Sequence, residues 1–130
     1  MASHVKTLPS AHSVDSTIAR LERALTEHGI KVFARIDQAA EAAAVGLHMP
    51  PTVLLVFGSP RAGTPIMVGY PIAGLDLPLK ALAWQDADGK TWLSANDVGL
   101  LTERHGVPAE VAAPLARVDA VLEAAAGGPA

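Results

Sequence analysis

Thr52-Val53-Leu54-Leu55-Val56-Phe57, running into Gly58-Ser59-Pro60-Arg61-Ala62-Gly63-Thr64-Pro65, is the stretch that decides how this chain folds. The first six residues are short, rich in β-branched side chains and closed by Gly58-Ser59-Pro60, the pattern of a strand buried on both faces. The next eight read as a strand-to-helix turn, with Pro65 at the first helical position, where no N–H donor is needed. Polar backbone close to a buried strand end is where a binding site is sought first.

Upstream, Lys31 to Asp37 alternates Val32, Ala34 and Ile36 toward the core against Lys31, Phe33 and Arg35. Asp37 caps an alanine-rich helix over Gln38 to Val45, whose small side chains predict close approach to the sheet. Before that, Ser13 offers an N-cap, and Val14, Ile18, Leu21 and Leu25 form one stripe of an amphipathic helix that Gly29 ends. Residues 3–9 suit an edge strand with Val5 and Leu8 inward, ended by Pro9.

Downstream, a short helix over 64–69 leads through turn residues to a strand over Leu77 to Gln85, and Asp86-Ala87-Asp88-Gly89 supplies hairpin chemistry. Lys90 to Ala95 returns as its partner, bringing Trp84 and Trp92 near one another. Asn96-Asp97 caps a helix to about His105, and a last helix begins near Ala113, with Val111 packed ahead of it and Leu115, Val118, Leu122 and Ala125 on its apolar face. These elements predict an α+β fold of two layers, a mainly antiparallel sheet of about five strands with helices packed on one face. One domain is expected over 1–126, with 127–130 a frayed tail.

Half of the 130 residues are hydrophobic, but 25 of them are alanine and aromatics are 4%, so the core rests on Leu, Val and Ile packed around small residues. A net charge of −3 gives no basic field for nucleic acid or anionic lipid. Without cysteine there is no disulfide, thiol catalysis or thiolate metal site. Neither a signal-type apolar core nor an 18-residue apolar span occurs, so a cytoplasmic location without a membrane partner is expected.

Gly58, four residues, then Gly63 opens like a phosphate loop, but Thr64 stands where its lysine should be and Pro65 replaces the metal-binding hydroxyl. ATP or GTP hydrolysis is not expected; a carboxylate or phosphate held by free N–H groups with Arg61 nearby is weighed against a tight turn whose glycines serve backbone geometry only. Asp86 and Asp88 start a calcium-loop pattern that Lys90, Thr91 and Asp97 break at its later positions. The five histidines never fall three or four apart, and no serine-nucleophile elbow occurs, so no metal site is expected and no cofactor is named.

Taken together, Gly58-Ser59-Pro60 to Met67, Gly74 to Trp84, Asp88 to Asp97 and Arg104-His105 resemble the bacterial family catalogued as domain of unknown function 302, over about Ser13 to His105. That resemblance implies a small α+β homodimer with no established activity. This chain departs from it at Ser59, where the family tends to have Asn, and at Gln38, where it tends to have His.

Three functions are weighed. The first is a dimeric module holding a small anionic or polar ligand beside the Gly58–Thr64 turn, through Gly58, Ser59, Arg61, Gly63 and Thr64 with Asp76, Lys80 and His105. The second is an enzyme with His105 or Asp37 as general base. The third is a structural or interaction protein that needs no pocket.

Overall fold

The computed structural model describes residues 4–127. Five strands, β1 (Val5–Ser10), β2 (Lys31–Asp37), β3 (Thr52–Gly58), β4 (Leu79–Gln85) and β5 (Thr91–Asn96), form one sheet in the order β1-β5-β4-β3-β2. Every pairing is antiparallel. Helices α1 (Val14–Glu27) and α6 (Val118–Gly127) cover one face. Four shorter helices are α2 (Gln38–Ala44), α3 (Pro60–Gly69), α4 (Gly99–His105) and α5 (Ala109–Ala112), and 3-10 turns span Pro71–Leu75 and Ala113–Arg117.

The main core joins Ile18, Leu21 and Leu25 of α1 to Val53, Leu55 and Phe57 of β3, with Val121 and Leu122 of α6. Ala81 and Ala83 face the same side from β4, and their small side chains let the helices approach the sheet. A second cluster, Ile66, Ala73, Leu101, Val107, Ala112 and Leu115, ties α3, α4 and α5 together.

Several expectations hold. Ser13 caps α1 by accepting from the Ser16 N–H at 3.1 Å, and Asp37 caps α2 by accepting from the Ala40 N–H at 2.9 Å. The hairpin turns where Asp-Gly placed it, with Gly89 at φ 81° and the Asp86 carboxylate accepting from the N–H groups of Asp88 and Lys90 and from the Trp92 indole. Trp84 and Trp92 are direct partners, their rings stacked 6.3 Å apart.

Other expectations are corrected. β3 is sealed on one face only: Val53, Leu55 and Phe57 are buried, whereas Leu54 and Val56 are half-buried on the face that α1 and α6 leave open. A register shift between Val32 and Ala34 turns β2 over, so Val32 packs on the core while Ala34 and Ile36 pair with Val56 and Leu54 on the open face. Val5 is exposed; of the two β1 residues expected inward, only Leu8 packs on the core. α2 buries no residue, so its alanines do not draw it into the core.

The largest shift is in α3, which begins at Pro60, four residues before the expected start at Thr64, and carries Pro65 inside it. Both prolines suit a first helical position; Pro60 takes it because Ala62 and Ile66 then turn toward the second cluster. β4 starts at Leu79, two residues later than expected, and β5 runs one residue later, over Thr91–Asn96. Asp97 acts from just outside α4, its carboxylate accepting from the Gly99 N–H at 2.8 Å. The single C-terminal helix is instead α5, a 3-10 turn holding Pro114, and α6. Gly127 is the last residue of α6, and the remainder of the expected tail, 128–130, lies outside the described residues.

Candidate functional site

Where β3 passes into α3, a slot of about 150 Å³ opens beside Gly58 and Ser59. Its walls come from four parts of the chain: Phe33 from β2, Gly63 and Met67 from α3, Leu77, Pro78 and Leu79 leading into β4, and Leu115 from the C-terminal 3-10 turn. Phe33 reaches it because the β2 irregularity falls at this residue. A Cβ on Gly58 would lie 3.4 Å from the Pro78 Cβ and 3.7 Å from the Phe33 ring, ordinary contact distances, so Gly58 sits against both walls of the slot. The lining is mostly apolar, and Ser59 and Thr64 are its two hydroxyl-bearing residues. Ser59 makes no capping hydrogen bond to α3, which leaves its hydroxyl uncommitted at that helix end.

Gly63 is not held to glycine by its backbone or by a close neighbour. It is helical, and a Cβ there would meet only the Met67 methyl, at 3.9 Å. No positive φ requires glycine at this position; an added side chain would instead occupy the slot.

Arg61 leaves the slot and lines a separate, shallow groove of about 560 Å³ together with Arg117. Asp76, Lys80 and His105 gather elsewhere. The His105 imidazole donates through Nε2 to Asp76 Oδ2 at 2.6 Å, and Arg104 donates to both oxygens of the same carboxylate at 3.1 and 3.2 Å. Lys80 donates to the Pro78 carbonyl at 3.2 Å. The hydrogen bond from His105, with the positive charges of Arg104 and Lys80, holds the Asp76 carboxyl below the usual carboxylate range in spite of burial. A depressed pKa in the folded state stabilises the protein above the ordinary carboxylate pKa, and that contribution is lost as pH falls through the depressed value.

The side chains of His105 and Asp76 are 7% and 15% exposed, and neither residue lines the slot or the groove. The cluster therefore fastens α4 to the 3-10 turn that Asp76 follows. At the other side of α4, His4 pairs with Asp97 at 3.3 Å and with Glu103. Asp37, the other base considered, is committed to capping α2. Of the eight residues singled out in the sequence, Gly58, Ser59, Gly63 and Thr64 share the slot, Arg61 borders it through Ser59, and Asp76, Lys80 and His105 form the separate cluster. Phe33, Met67, Leu77, Pro78, Leu79 and Leu115 were not anticipated; the one signal for any of them was a phenylalanine on the polar side of a strand.

The family model described as "Domain of unknown function DUF302" matches residues 6–125. A crystal structure of an uncharacterized conserved DUF302 protein from Bacillus stearothermophilus superposes with a TM-score of 0.81 at 24% identity, covering 96% of this chain and 97% of that one, and so shares the fold. Proteins named fluoride-specific ion channel FluC 1 from Brucella suis biovar 1 (strain 1330) and Brucella abortus biovar 1 (strain 9-941) are each 45% identical over 112 residues. The match takes in 85% of this chain but 44% and 42% of those proteins, so the chain spans less than half the length of the curated relatives it matches.

Proposed function

We propose, for a chain that belongs to the DUF302 family, a role as a homodimeric ligand-binding module that takes the apolar part of a small molecule into the slot beside Ser59. The observation that carries this reading is the slot itself: carbon walls from four separate segments, with the Ser59 and Thr64 hydroxyls to orient a guest. A dry apolar cavity of roughly this size, on the order of 150 Å³, accommodates a benzene-sized group. One ring or a short chain fits, and the rest of the ligand must lie outside.

Toluene and hexanol titrated against the protein are expected to raise its Tm and to shift the amides of Ser59 to Met67, because a ligand bound only by the folded state stabilises it by mass action. Gly63→Leu, which fills the slot from α3, should remove both responses while leaving the circular dichroism spectrum unchanged. Equal responses in the two proteins, or none in either, would remove the slot as a site.

The dimer reading is supported by the open face of the sheet, where Ile36, Leu54, Val56, Leu82, Trp84 and Trp92 stand without a helix layer over them. The enzyme reading is not retained, because the close acid–base pair, Asp76 with His105, lines neither the slot nor the groove.

The names of the Brucella relatives favour a setting for the module as well. No helix among the described residues is long and apolar enough to cross a membrane, so the role proposed beside a channel is sensing, with occupancy of the slot altering the channel's opening. Deleting the matched segment from the Brucella suis protein should change fluoride flux from loaded vesicles or its response to slot ligands. Identical flux and response after deletion would confine the module to another partner.

A further inference from the structure

We infer that the ligand of the slot is an amphiphilic anion, a short hydrocarbon or aryl arm ending in a carboxylate or phosphate head, with the head held by Arg61 and Arg117; this rests on the reading of the slot as a binding site. Three depressions meet at Ser59. The slot adjoins a narrow cleft of about 20 Å³ through Gly58, Leu79 and Leu115, and the cleft adjoins the arginine-lined groove through Ala62, Pro114 and Arg117. An apolar chamber and a cationic one are therefore neighbours across a single residue.

The two arginines come from different elements, Arg61 from the first turn of α3 and Arg117 from the end of the C-terminal 3-10 turn. Both are exposed, and neither has a hydrogen-bond or ion-pair partner among the described residues. Of the other arginines, Arg20 is engaged on the carbonyls of Ala124 and Ala125, Arg35 on Glu22 and Asp15, and Arg104 on Asp76, while Arg23, on α1 and away from the groove, shares the lack of a partner among the described residues. No carboxylate among the described residues lines the groove, although acidic residues outnumber basic ones in the chain, 13 to 10. Two guanidinium groups on one groove repel each other, and an oxyanion between them relieves that repulsion while taking paired N–H donors in the planar geometry that arginine offers and lysine does not. A hydrocarbon arm on such an anion would find the apolar lining beside Ser59.

The test compares hexanoate, hexyl phosphate, hexanol and inorganic phosphate by calorimetry against the wild-type chain and the Arg61→Gln, Arg117→Gln and Arg23→Gln variants. Hexanoate or hexyl phosphate is expected to bind about tenfold more tightly than hexanol, with an affinity that falls between 50 and 200 mM salt while that of hexanol does not. In Arg61→Gln and in Arg117→Gln the advantage of the charged head should shrink toward none, and in Arg23→Gln, which changes charge on α1 away from the groove, it should persist. Anionic vesicles presenting the same phosphate head should compete only if the natural source is a lipid; competition by monomeric hexyl phosphate alone assigns a free metabolite. Equal affinity for hexanoate and hexanol would overturn the anionic head and leave the slot standing. Failure of all four compounds to bind would overturn both.

Discussion

Phe57→Ala is expected to cost about 3–5 kcal/mol of folding stability, the range for removing a buried aromatic from a packed core. Phe57 is 1% exposed, sits on the sealed face of β3 and lies one residue before Gly58, so its ring supports the main core beside the end of the slot. Against a total stability of roughly 5–15 kcal/mol for a domain, such a loss brings the variant close to unfolding at ambient temperature. Urea denaturation would show the midpoint falling steeply with the slope little changed. A loss of under about 1 kcal/mol would mean that β3 does not carry the core as described. Leu54→Ala, on the open face of the same strand, should cost less, because Leu54 is only half-buried.

Leu82→Asp is expected to abolish the proposed dimer without unfolding the monomer. Leu82 stands mid-strand on β4, paired with Leu54 on one side and Ser94 on the other, on the face that α1 and α6 do not cover. An unpaired carboxylate introduced into an apolar interface costs about 3–5 kcal/mol when it cannot be neutralised, and a two-fold interface meets the change twice. The dissociation constant should therefore rise at least a hundredfold, on the order of 3 kcal/mol. Light scattering at micromolar concentration should return twice 13.4 kDa for the wild type and 13.4 kDa for the variant. A 13.4 kDa wild type would remove the dimer.

Much of the fold could be read from local chemistry. α1 was legible because Val14, Ile18, Leu21 and Leu25 keep one helical face behind a serine cap, and the hairpin because Asp-Gly offers the turn its geometry. What the sequence hid was settled by packing. Pro60 and Pro65 compete for the same helical position on equal local terms, and the second cluster decides between them. The β2 irregularity has no signature in Lys31 to Asp37, yet it sends Ala34 and Ile36 to the opposite face from Val32.

For the candidate site, the sequence pointed to residues that line one cavity but not to the character of its walls. Gly58, Ser59, Gly63 and Thr64 do share a cavity, as the broken apolar run suggested. Its apolar character comes from Phe33, Met67, Leu79 and Leu115, spread over more than eighty positions of sequence and brought together only by folding. Asp76 and His105, 29 residues apart, were singled out alongside that turn, but they form a separate anchoring pair.

The most direct test of a ligand site beside Ser59 is a nuclear Overhauser experiment on methyl-labelled protein with hexanoate. Contacts are expected from the hexanoate chain to the methyl groups of Met67, Leu77 and Leu79, which line the slot. Contacts only with Leu54 and Leu82 on the open sheet, or none with any methyl group, would contradict the site.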